Sequence, residues 1–202
     1  MLHPALLRPF AALVVSVAAL GDPPQAYASA ALPRGLVGSG PAWLAQAPKA
    51  KPTLQGKQGN YNASVFVAAP PQRAWAVLVN YEAMAGVMPD IKEAKVLRRT
   101  GPVVEVQQTY QAPYTFGRRI TAVLSMRESA PRQLSYELVR GDQIRELRGT
   151  WTITPVSGGV IVRHQIKLDP EIPGFVRPLY YELSEANLRQ SMAILKRLME
   201  QD

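Results

Sequence analysis

Residues 144–168 read IRELRGTWTITPVSGGVIVRHQIKL, two alternating runs on either side of Ser157-Gly158-Gly159. Successive side chains of a strand point to opposite faces, so each run has one face to bury and one to wet. In the second run Val160, Val162, His164, Ile166 and Leu168 share a face, and Arg163, Gln165 and Lys167 take the other. In the first, Leu147, Gly149, Trp151 and Ile153 lie together. So short a turn makes the two runs antiparallel neighbours, with strands over 144–154 and 159–168.

The same alternation recurs upstream at 60–67, 93–99, 103–110, 119–127 and 133–139. Pro70-Pro71, Thr100-Gly101-Pro102, residues 112–117, residues 129–132 and Gly141-Asp142 punctuate it. After the first strand the period turns helical. Trp75, Leu78 and Val79 share a face of a helix that starts at Gln72 and ends at Asn80. A second short helix over 82–87 closes at Met88-Pro89, because a helix rarely continues up to a proline.

The last segment predicts one helix of roughly 25 residues. Pro178 suits its first turn, where a missing N–H costs nothing. Val176, Tyr180, Leu183, Ile194 and Leu198 fall on one stripe, and Leu188, Met192, Leu195 and Met199 on an adjoining one. A helix apolar over two stripes has to be embraced, and a curled sheet is the available surface. Asn187 and Ser191 interrupt the first stripe, which is costly in a dry core and reasonable in a cavity. The expected fold is therefore α+β, a curved seven-stranded antiparallel sheet wrapped around a long C-terminal helix, with two short helices after the first strand.

Residues 1–28 have the order of an export signal. Arg8 precedes the apolar run FAALVVSVAAL (10–20), Gly21, Pro23 and Pro24 break it, and Ala26-Tyr27-Ala28 offers a small-x-small cleavage site. The run is too short to span a bilayer as a helix. Residues 29–59, with Pro33, Gly35, Gly38, Gly40, Pro41, Pro48, Pro52, Gly56 and Gly59, read as a disordered linker. The domain is expected over 60–202, outside the cytoplasm after cleavage near Ala28.

Composition removes most enzyme classes. The 202 residues contain no cysteine, which excludes disulfides, thiolate nucleophiles, Cys-ligated zinc and iron–sulfur clusters. The two histidines are His3 and His164, so a multi-histidine metal site is excluded and no metal or cofactor is expected. The formal charge is +8, and half of it lies before residue 60, where Arg8, Arg34, Lys49, Lys51 and Lys57 face only Asp22. The domain is mildly basic, which argues against a nucleic-acid partner and leaves an anionic membrane surface open.

His164 points inward among apolar neighbours, either as a satisfied core histidine, as a hydrogen-bonding group for a ligand, or as a base. Gly149 between large residues leaves space for a ligand or a backbone to approach. Trp151 is either a cavity wall or core. Tyr110, Leu124 and Tyr136 alternate onto inner faces, and tyrosine brings ring area with a polar tip. Met84, Met88, Met126 and Met192 suit an irregular apolar surface. At 112–119, Tyr114 and Phe116 stand beside Arg118 and Arg119, which fits either a loop folded over a cavity mouth or one that dips into a bilayer interface.

The succession APPQRAW (69–75), Val77-Leu78, Tyr81, Met88-Pro89 and EAKVL (93–97) resembles the opening of the START-like (SRPBCC) superfamily. LRGTWTITP (147–155), with Gly158-Gly159 and the strand that follows, is similar to its polyketide cyclase/dehydrase and coenzyme Q-binding branch. The resemblance implies a helix-grip fold around an apolar cavity, and no universal catalytic residue. It points to a carrier of a hydrophobic small molecule (lipid, quinone or polyketide-like) whose cavity is lined by Trp75, Met88, Tyr110, Leu124, Tyr136, Gly149, Trp151, His164, Tyr180, Leu183 and Asn187. The alternatives are a cyclase or dehydratase in the same cavity, or an interaction module docking through the basic hairpin tip.

Overall fold

The computed structural model describes residues 51–112 and 115–201. Eight strands form one antiparallel sheet: β1 (Thr53–Lys57), β2 (Asn60–Val67), β3 (Ile91–Thr100), β4 (Val103–Tyr110), β5 (Ile120–Ser129), β6 (Gln133–Gly141), β7 (Ile144–Val156) and β8 (Gly159–Pro170). Their order is β1-β2-β8-β7-β6-β5-β4-β3, so the hairpin of residues 144–168 sits centrally. Helix α1 (Pro71–Leu78) and a 3-10 helix (Glu82–Gly86) join β2 to β3, and α2 (Arg177–Glu200) ends the chain. Pro178 lies in the first turn of α2, as its missing donor allows.

One expectation is corrected. The sheet has eight strands and not seven, because Thr53–Lys57, inside the linker-like stretch, pairs with β2 from Thr53↔Ser64 to Lys57↔Asn60. Gln58 (φ 51°) and Gly59 (φ 85°) form the two-residue turn that folds β1 back. Two consecutive left-handed residues match the twist of a tight hairpin. Gly59 thus makes a strand possible instead of interrupting one, and a Cβ there would collide with the Leu168 carbonyl oxygen. The signal-peptide stretch and linker residues 29–50 lie outside the described residues.

The sheet is bent by bulges. Register shifts leave Lys92 and Leu97 in β3, Val139 in β6 and Arg145 in β7 without a pairing partner. Each such extra residue kinks its strand and sharpens the local twist. Leu97 and Val139, two of the exposed large apolar side chains, occupy these positions.

Helix α2 is held mainly at its C-terminal half. Met192, Leu195 and Met199 are 0%, 3% and 1% exposed and pack into the core with Ala63, Val65 and Val67 of β2 and Ala74 and Leu78 of α1. Polar contacts fix the same end to the β2–α1 connection. Lys196 Nζ donates to the Phe66 carbonyl at 2.9 Å, and the Ala68 amide donates to Glu200 Oε1 at 2.8 Å. Lys196 also pairs with Glu200, and Arg73 donates to the Gln201 carbonyl. Truncation at this anchor is expected to be severe. Met192→Ala should cost about 2–5 kcal/mol in urea denaturation, and a loss below about half a kcal/mol would show that the anchor lies elsewhere.

Candidate functional site

Between α2 and the sheet lies a cavity of about 630 Å³. Its wall is mainly apolar, with Leu124 and Met126 from β5, Leu134 from β6, Leu147 from β7 and Ile166 and Leu168 from β8. A concave apolar space with a few placed polar groups is the usual form of a small-molecule site. Phe116, Arg118, Gln143, Glu171 and Pro173 line it while exposed. The opening therefore lies between the β4–β5 loop, the β6–β7 turn and the β8–α2 connection.

The most specific polar group on the sheet wall depends on a missing side chain. Tyr136 pairs with Gly149, which pairs with Ile166, while in the next row Leu134, Trp151 and His164 are partners in turn. A Cβ on Gly149 would lie 2.5 Å from the Tyr136 hydroxyl and would collide with the Gln165 carbonyl oxygen. With no side chain there, the Tyr136 ring crosses β7 diagonally and its hydroxyl reaches His164 Nε2 at 2.8 Å. The His164 ring lies flat on Trp151, with centroids 3.7 Å apart and planes 6° off parallel.

Burial sets the protonation of this trio. His164 is 5% exposed, and desolvation of its charged form brings its pKa down to about 3. The Tyr136 phenol is pushed far up by the same cause. Both are neutral near pH 7, and the imidazole tautomer sets which of the two donates in the Tyr136–Nε2 bond. His164 Nδ1 is buried with no partner.

Residues 58–200 match the family described as polyketide cyclase / dehydrase and lipid transport. The chain belongs to that family. Among solved structures it is similar to a protein of Thermus thermophilus, with TM-score 0.62 and 18% identity over 68% of this chain and 94% of that one. A STAR-related lipid transfer protein from Xanthomonas axonopodis gives TM-score 0.59 and 18% identity, over 75% and 100% of the two chains. An aromatase/cyclase from Streptomyces gives 0.54 and 14%, over 73% and 92%. At these identities the likeness is one of fold, the START helix-grip. No curated protein matches the sequence.

On this START-like scaffold most of the candidate residues from the sequence come together. Met88, Tyr110, Leu124, Tyr136, Trp151, His164, Tyr180 and Asn187 line the cavity, as do Phe116 and Arg118 at its opening. Four do not. Trp75 packs half-buried against the core from α1. Leu183 lies beside the inward stripe of α2, which runs through Tyr180, Ser184, Asn187 and Ser191. Gly149 gives its space to the Tyr136 ring and leaves none for a ligand. Arg119 turns to Glu93 at 3.0 Å. Tyr114 lies outside the described residues.

Sequence reasoning missed Gln108, Ser184 and Asp90 as lining residues. Gln108 was within reach, since it alternates with Tyr110 on β4 and accepts a hydrogen bond from the Tyr110 hydroxyl. Ser184 follows Tyr180 by one helical turn, and its hydroxyl donates back to the Tyr180 carbonyl at 2.8 Å. Asp90 gave no signal, because it precedes its strand in an irregular turn.

Two outcomes follow from the trio. Gly149→Ala should destabilise by about 1–3 kcal/mol, and part of that cost should return when Tyr136→Leu is added, read as a double-mutant cycle. Additive costs would show that the Tyr136 ring does not depend on Gly149. His164 is neutral in the fold above about pH 3, whereas an unfolded histidine titrates near about 6.5. Between those values the unfolded chain binds the extra proton, so this contribution is complete above about pH 6.5 and is lost as pH falls toward 3. The acid side of the stability–pH curve should therefore be shallower in His164→Gln, and an identical slope would contradict the assignment.

Proposed function

We propose that the chain is a non-enzymatic binding or carrier protein for a hydrophobic small molecule, such as a lipid, a quinone or a polyketide-like compound. The observation that supports this reading best is the apolar cavity of about 630 Å³ between the sheet and α2. Removing apolar ligand surface from water contributes roughly 25 cal/mol per Å², and a few hydrogen-bonding groups then orient the ligand. Similarity of fold to a STAR-related lipid transfer protein agrees with a carrier.

The fold of an aromatase/cyclase raises the rival reading of a cyclase or dehydratase. General acid–base work needs a group that titrates near the working pH. Tyr136 and His164 are the best candidates, and burial moves both away from neutrality, the histidine down and the phenol up. The carrier reading therefore leads. It includes export after loss of residues 1–28, and loading at an anionic membrane surface through the loop that carries Phe116 and Arg118.

Native mass spectrometry on protein purified from its own host without detergent, followed by organic extraction, tests this. The expected result is a chain beginning after Ala28 with a stoichiometric hydrophobic adduct, and Ser191→Phe should lose the adduct while remaining folded. An empty chain that takes up no quinone, fatty acid or carotenoid would defeat the reading.

A further inference from the structure

The charged groups on the cavity lining are unequal in number and in depth. Among the described lining residues Asp90 and Glu171 are the carboxylates and Arg118 is the cation. Arg118 and Glu171 are exposed at the opening, whereas Asp90 is half-buried. Water screens an exposed charge strongly, and a charge set back from it acts with more force over the same distance. Asp90 therefore outweighs Arg118 at this end of the cavity.

The backbone fixes where Asp90 stands. Ile91, the first residue of β3, pairs with Tyr110, and the Asp90 carbonyl accepts from the Gln111 amide at 2.8 Å. Gln111 opens the β4–β5 loop, so Asp90 lies at the rim, beside Tyr110. Its charge also reaches Tyr180 on α2. Burial first, and Asp90 among the further causes, push both phenols up.

Tyrosine rings attract a cation through their electron-rich faces and offer an anion nothing comparable. Tyr110 comes from the sheet and Tyr180 from α2, and both line the cavity. A carboxylate that acts on tyrosines of both walls, at the rim of an apolar space, is suited to a positive head group on an apolar body. At the rim that head group stays next to water and escapes full desolvation, while its chain fills the space behind.

We infer that the cavity takes an amphiphile with an apolar chain and a protonated amine, its ammonium group held at the Asp90 carboxylate beside Tyr110 and Tyr180. This rests on the carrier reading above and narrows it to a cationic head group.

Decylamine, decanol and decanoate share one chain and differ in the charge of the head group, since an alkyl amine is protonated near neutral pH as lysine is. Calorimetric titration of the full chain should show decylamine bound about tenfold more tightly than decanol, the low end for a hydrogen bond to a charged group. Decanoate should bind no more tightly than decanol. Asp90→Asn should bring the amine-to-alcohol ratio down to about threefold or less, and Asp90→Ser serves if that variant does not fold. Decanol or decanoate bound as tightly as decylamine overturns the inference and leaves the carrier reading standing. Full preference for the amine in a folded Asp90 variant also overturns it. Binding of none of the three by the folded wild-type chain overturns the carrier reading and this inference together.

Discussion

The cavity depends on how α2 is fastened at its two ends. At its start Arg177 meets Asp169 and the Pro170 carbonyl at the end of β8. Its last turns carry Met192, Leu195 and Met199, almost wholly removed from water, and Lys196 and Glu200 tie them to the end of β2. Before them, Ser184, Asn187, Leu188 and Ser191 line the cavity. Packing Asn187 or Ser191 directly against the apolar sheet would strip its side chain of water, at a cost of about 1–3 kcal/mol for each group left unsatisfied. The same helix thus closes the core with its last turns and presents a mixed polar and apolar face to the cavity.

The sheet wall obeys a related economy of space. One glycine in a row of large inward residues lets Tyr136 reach across a strand to His164, and the flat contact with Trp151 fixes the imidazole plane. Since neither hydroxyl nor imidazole is charged, the trio adds direction to the cavity without adding a field. Burial moves both groups away from the range in which they would exchange a proton at neutral pH.

Most of the fold was legible because alternation and turn chemistry agree along the chain. The strand expected over residues 103–110 is β4 with the same ends, and the long terminal helix lies where its apolar period puts it. What was not legible has physical causes. Strand β1 is short and holds a glycine at φ 105°, so its composition resembles a linker and only pairing with β2 makes it a strand. Choosing Leu183 over Ser184 rests on the assumption that inward means apolar, which fails on a cavity wall. The Tyr136–His164 bond joins residues on strands that are not neighbours, and periodicity within one strand carries no information about such diagonals.

The position of β8 has a consequence for how the chain folds. It lies between β2 and β7, so Asn60 at the start of the domain pairs with Lys167 near its end. Strands β3 to β7 can zip up hairpin by hairpin as they emerge. Strand β2 keeps one edge open until nearly everything else has been made. Closure comes late, and the last segment, α2, clamps β2 in place from the other side. A chain that stops short of β8 therefore exposes an unpaired edge of eight residues, and with it a template for pairing with other chains.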